Sequence, residues 1–149
     1  MTPLHYCLQK VTPLDYPFLW QLNREVFKNY IEELWGWEDK KQQELFKRRM
    51  ERDSDKSLII VDHQPVGYLE LIHMEQSLHI VNILLLPTHQ GRGIGRTIIQ
   101  DILLEASSAD LHVRLQVFKI NHRALKLYQD LKFTIIGESD THWELQYTL

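Results

Sequence analysis

The chain has 149 residues, 44% of them hydrophobic and 25% charged, which is enough for one domain over residues 1–149 with a proper core. A net charge of −3 leaves no cationic surplus for nucleic acid or an anionic membrane. No run approaches the ~18 apolar residues of a membrane span, and the opening MTPLHYCLQK lacks the apolar stretch of a signal peptide. A lone cysteine, Cys7, reads as a small buried thiol, and the expected location is the cytoplasm.

Residues 4–11 alternate well enough to predict a first strand. After Thr12-Pro13, apolar residues at Leu19, Leu22, Val26, Tyr30 and Leu34 predict a helix, with Pro17 in its first turn. WGWE interrupts, and a polar second helix follows with Leu45, Phe46 and Met50 on one side. From Ser57 three β-rich runs, broken at HQP and MEQS, read as an antiparallel meander. Then come a glycine-rich loop and a helix with Ile94, Ile98, Ile102 and Leu103 on one face. The strand LHVRLQVF, the helix HRALKLYQDL and two closing strands, FTIIGES and HWELQYTL, complete a mixed α+β order of β-α-α-β-β-β-α-β-α-β-β.

The loop, HQGRGIGR, carries the chemistry. Its glycines are Gly91, Gly93 and Gly95, and position 96, where a dinucleotide GxGxxG would need its third, is Arg96. No GxxxxGK[ST] string exists, so an NTP-binding loop fails as well. Alternate glycines that lead into a helix, with Arg92 and Arg96 beside them, still suit an anion, because the first helical N–H groups lack partners. A glycine-rich turn with no ligand is the other reading of these residues taken alone.

Their surroundings resemble the GNAT acetyltransferases. Gln90-Gly91-Arg92-Gly93-Ile94-Gly95 is similar to the family's Q/R-x-x-G-x-G/A signature and follows a strand and Pro87 as that motif does. Asn121-His122-Arg123-Ala124-Leu125-Lys126-Leu127-Tyr128 is similar to its N-x-x-A-x-x-L-Y helix, and the element order fits over essentially the whole chain. The resemblance implies that strands near 78–86 and 111–118 splay into a V that admits the pantetheine of acetyl-CoA, the expected co-substrate, with no metal. It places backbone groups of Ile83, Leu84 and Leu85 on the pantetheine and acetyl carbonyl, and the amides from Gly91 to Arg96 on the pyrophosphate. Asn121 then contacts the cofactor, although Asn is also a good helix cap. Tyr128 falls where many members protonate the leaving thiolate, its phenol pKa of ~10 lying near a thiol's ~8.5.

Acetyl transfer requires a neutral amine, yet Gln116, Leu84, Leu85 and Leu86 occupy places where relatives carry an acid. Glu70, His73, His79, Asn82 and His142 remain as candidate proton acceptors, with Glu70 and a water held by Asn82 among them. In the resembled fold the junction YIEELWGWEDK lines the acceptor pocket. Tyr30, Trp35 and Trp37, with Glu32 or Glu33 and His142 nearby, suggest a site for a cationic amine, or else packing anchors beside a solvated acidic face. The expected activity is acetyl transfer from acetyl-CoA to a primary amine, small-molecule or protein, by direct attack. The alternative is an acyl-CoA sensor without turnover. Neither nucleic acid nor membrane is an expected partner, and a homodimer stays open.

Overall fold

The structure, a computed structural model, describes residues 5–148, so Leu4 of the expected first strand and Leu149 of the last lie outside the described residues. Strand β1 (Cys7–Lys10) is short and exposed along its length. Cys7 is therefore an exposed thiol rather than a buried one. The pattern around it misleads because an edge strand need not bury either face. Helix α1 (Tyr16–Leu34) accepts Pro17 in its first turn and buries Leu19, Leu22, Asn23 and Ile31. Helix α2 (Asp39–Glu51) buries Gln42, Phe46 and Met50, a stripe at intervals of four.

The meander follows as β2 (Asp55–Val61), β3 (Gln64–His73) and β4 (Ser77–Leu85). Asp62 and His63 join the first two strands with φ of 51° and 65°, the left-handed pair that matches the twist of a tight hairpin. Helix α3 (Ile94–Ser108), β5 (His112–Phe118), α4 (His122–Asp130), β6 (Thr134–Glu138) and β7 (His142–Tyr147) complete the order expected from the sequence. They form a seven-stranded sheet, β1-β2-β3-β4-β5-β7-β6. Every neighbouring pair is antiparallel except β4 with β5.

Apolar residues cover both faces. Ile98, Ile99 and Ile102 of α3 and Tyr128 of α4 pack with Val66, Leu78, Ile80, Val113 and Leu145 on one face. Leu19, Leu22, Phe46 and Met50 of α1 and α2 pack with Leu58, Tyr68 and Leu84 on the other.

Two irregularities in β4 make the site. First, β4 pairs with β5 only from Ser77 to Ile80, opposite His112 to Leu115. Beyond that point the strands part, although β4 continues to Leu85 and β5 to Phe118. The expected V is there, and the β5-facing backbone edge of β4 inside it has no strand partner. Second, the register against β3 steps from Glu70 opposite Asn82 to Leu71 opposite Ile80, so Val81 is an extra, bulged residue. Because side chains alternate along a strand, one extra residue exchanges the faces beyond it. Ile80 faces α3, whereas Leu84 faces α1 and α2. Asn82 is set opposite Glu70 on that same second face.

Candidate active site

The glycine loop is tied to β4 by Gln90, whose Nε2 donates to the Leu85 carbonyl at 3.0 Å. Gly91 and Gly93 have φ of +75° and +83°, conformations that other residues adopt only with strain. Gly93 is the N-cap of α3, and the first helical bond there runs from Thr97 N to Gly93 O at 3.0 Å. The amides of Ile94, Gly95 and Arg96 precede that bond and have no helical acceptor, which makes the turn a natural anion seat. The Ile94 side chain itself is core, 2% exposed, so the loop offers its backbone.

Arg96 is only loosely engaged, its Nη2 lying 3.8 Å from Asp130 on the surface, and Arg92 is exposed. A third cation was not singled out from the sequence. A Cβ on Gly91 would lie 2.7 Å from the Arg123 guanidinium, so Arg123 sits over the loop. Its only sequence signal was a basic residue two after the cap asparagine.

A cavity of ≈ 630 Å³ opens beside this loop, lined by Gln90, Gly91, Gly93, Gly95, Arg96 and Arg123. A second, of ≈ 590 Å³, lies on the α1–α2 side of the V, with Trp35, Gln42, Arg49, Asn82, Phe118 and His142 on its wall. The two share Val26, Ile83, Leu84, Asn121, Ala124 and Tyr128, and so meet at the point where β4 and β5 part. Asn121 caps α4 by accepting from Ala124 N at 3.2 Å, which holds it at this junction. Tyr128 is 8% exposed, packs edge-on against Phe133, and has its pKa pushed by burial up to about 12. The phenol thus remains protonated, further from a thiol's pKa than the sequence suggested.

A loop that presents free amides, an open strand edge and a protonated phenol at one junction is the arrangement that the two sequence motifs implied. A model described as the acetyltransferase (GNAT) family matches residues 17–133. The chain belongs to the GNAT acetyltransferase family. Acetyltransferase PseH of Campylobacter jejuni is 31% identical over 98 residues, a match covering 62% of this chain and 60% of that relative's length. Among solved structures, the PaiA N-acetyltransferase of Thermoplasma acidophilum, in complex with coenzyme A, superposes with a TM-score of 0.76 at 14% identity, covering 98% of this chain and all of that one. The spermidine N-acetyltransferase of Vibrio cholerae, with CoA and spermine, gives 0.69 at 21% identity, with 95% and 94% covered.

Within this GNAT fold the candidate proton acceptors separate clearly. Glu70 is fully buried and takes both terminal contacts from Arg52, at 2.9 and 2.7 Å, with Ser54 at 2.6 Å and Asn82 at 3.0 Å. Burial alone would raise its pKa, but these hydrogen bonds outweigh it and hold the carboxyl below its ordinary value. A carboxylate this well satisfied is a poor base, and Glu70 acts instead as the post that orients Arg52 and Asn82. His73 pairs with exposed Asp55 at 3.3 Å, and His79 contacts Ser77 at 3.1 Å; neither lines either of the two cavities. Asn82 and His142 do line the inner cavity. His142 stacks on Phe118, ring centroids 4.2 Å apart, and its Nδ1 is 2.8 Å from Thr141 Oγ1. Burial lowers its pKa, which keeps the ring neutral near pH 7.

The aromatic–acidic junction is divided by the structure. Trp35 is 61% exposed and lines the inner cavity, close to Phe118. Tyr30 stacks on Phe118 but lines the loop-side cavity. Glu32 and Glu33 are exposed and line neither cavity. Trp37 turns back onto Trp20 at 6.2 Å, with its Nε1 donating to Asp39 at 2.5 Å, and is a packing residue. Trp37→Ala is therefore expected to lower stability by about 2 kcal/mol, less than for a fully buried tryptophan, with acceptor KM unchanged. Trp35→Ala should do the reverse. Thermal unfolding and steady-state kinetics on the two variants check this.

The inner cavity also takes residues of α2 and its C-cap that sequence reasoning left out of the site. Gln42, Leu45, Arg49 and Arg52 all line it. Their helical spacing was visible, but the polar members looked like part of a solvated face.

Proposed function

We propose that the protein is an N-acetyltransferase that binds acetyl-CoA at the glycine loop and along the open edge of β4, and transfers the acetyl group to a primary amine held in the inner cavity. The observation that carries this reading is the meeting of the two cavities at Asn121 and Tyr128, where β4 leaves β5. Family membership and the CoA held by the PaiA and spermidine acetyltransferases support it. The residues fit the group: free amides of Ile94, Gly95 and Arg96 and the cations Arg92, Arg96 and Arg123 suit a diphosphate. The unpaired edge at Ile83, Leu84 and Leu85 suits a pantetheine amide chain.

Bound acetyl-CoA supplies an activated thioester, so that the C–N bond forms as the C–S bond breaks, leaving an acetamide and a thiol. The chain's residues handle the protons. His142, neutral near pH 7, takes the proton from the amine, directly or through a water held by Asn82. Tyr128, with a pKa near 12, keeps its own proton and would serve the sulfur as a hydrogen-bond donor, while the proton taken from the amine by His142 returns to the thiolate through solvent. The favourable direction of charge is thus set on both sides of the reacting centre.

Thiol release measured over a panel of amines tests this reading. Amine-dependent release is expected. Acetyl-CoA binding without release from any amine would leave a sensor. His142→Gln should lower kcat/KM by about tenfold at pH 7, below the 10²–10⁴ of a sole general base because the water route persists. The sign of the pH effect follows from the lowered pKa. The wild-type ring gains its proton, and activity falls, only below its ordinary value near 6.5, and the variant should lose that acid limb.

A further inference from the structure

The charges around the inner cavity do not balance, and the imbalance lies deep in its wall. Glu38 and Lys41 stand at the exposed rim with opposite signs. Arg52 is spent on Glu70. Arg49 remains. It lines the cavity, half-buried, and among the described residues it has no carboxylate within ion-pair distance. Its one side-chain hydrogen bond is a donation to the neutral Oδ1 of Asn23 at 3.2 Å. Burial, and then the like charge of Arg52, lower its pKa against a smaller opposing pull from Glu70, whose carboxylate is held by Arg52. Beside it, Gln42 is 7% exposed and lines the same wall, with its Oε1 buried and lacking a hydrogen-bond partner.

A guanidinium kept partly desolvated without an acid is stabilised when an anion arrives. We propose that the acceptor is an amine that also carries an anionic group, a carboxylate or a phosphoryl, and that Arg49 binds this group while the amine reaches the junction at Tyr128. A polycation is the wrong partner for this wall, because it would meet Arg49 with like charge. The cationic-amine site suggested by the acidic junction gives way for the same reason, since Glu32 and Glu33 lie outside the cavity. This inference rests on the inner cavity being the acceptor site of an acetyltransferase.

Two measurements test it. With the protein saturated in CoA, so that the loop is occupied, inorganic phosphate at millimolar concentration should raise the melting temperature. Arg49→Gln should abolish that increment while leaving CoA affinity unchanged, and Arg49→Lys should restore part of it. In turnover, matched pairs isolate the anion: gamma-aminobutyrate against its amide, and phosphoethanolamine against ethanolamine. At least one anionic member should exceed its neutral partner about ten- to a hundredfold in kcat/KM, the value of a charge-assisted contact, and Arg49→Gln should erase that ratio through KM. The better pair identifies carboxylate or phosphoryl. No phosphate increment in the CoA-saturated protein, an increment that survives Arg49→Gln, or preference for spermidine or a neutral amine would overturn the proposal. Those results would leave the acetyltransferase reading intact, whereas failure of acetyl-CoA to bind would strike that reading itself.

Discussion

Gly93→Asp should reduce affinity for acetyl-CoA by at least about a hundredfold while the protein remains folded. Gly93 is the N-cap of α3, and a Cβ built there meets nothing within 4 Å. Its φ of +83° is a conformation that Asp tolerates better than most side chains. Aspartate is also a strong capping residue, so its carboxylate would accept from the amides of α3 that a diphosphate needs. The loss then has two sources: the donors are taken, and a like charge sits beside the anion in a partly desolvated site. Gly93→Asn separates them, since it caps without charge and should fall between the wild type and the aspartate. Calorimetric titration with acetyl-CoA measures all three. Equal affinities would remove the loop from the binding site.

Tyr128→Phe is expected to lower kcat by about 10²-fold with acetyl-CoA affinity nearly unchanged. The ring carries the packing against Phe133 and the α3 face of the core, and phenylalanine keeps it. Only the hydroxyl is lost. An ordinary phenol would be close enough to a thiol for effective proton transfer, and removing it would cost up to ~10⁴-fold. With its pKa near 12, Tyr128 gives up its proton less readily and contributes mainly a hydrogen bond to the developing charge, which supports the lower figure. The same shift fixes the pH dependence. A group titrating near 12 produces no alkaline limb in the working range, so any limb near pH 9 belongs to another group. A drop below threefold would make Tyr128 a core residue only, and the sensor reading would then gain.

Much of this was legible in the sequence. The order of helices and strands was the one periodicity predicted, because most of them bury at least one face, β1 and β6 excepted. The loop was recognisable because its requirements are local: positive φ at Gly91 and Gly93, and a helix start just after. What depended on distant partners was not legible. Glu70 read as a base because nothing in its own strand indicates that Arg52, eighteen residues earlier, closes on it. Trp37 stood open between a ligand-facing aromatic and a packing anchor because its contact with Trp20 is made across a helix turn-back. Arg49 was hidden for the opposite reason. A cation on a polar helix looks solvated until the neighbouring strand is in place, and only then does its lack of an acid become visible.

The extra residue at Val81 has a consequence for how this chain can vary. Inside a regular strand a one-residue deletion turns every later side chain to the opposite face. Here the loss of Val81 would leave Leu71 opposite Ile80 and Glu70 opposite Asn82, so that Asn82 and Leu84 keep the α1–α2 face and only the bulge disappears. Position 81 can therefore vary in identity, and even be lost, without burying a polar amide among isoleucines. From Asn82 onward the strand has no such spare residue, and there the number of residues, more than their identity, is what natural variation must hold constant.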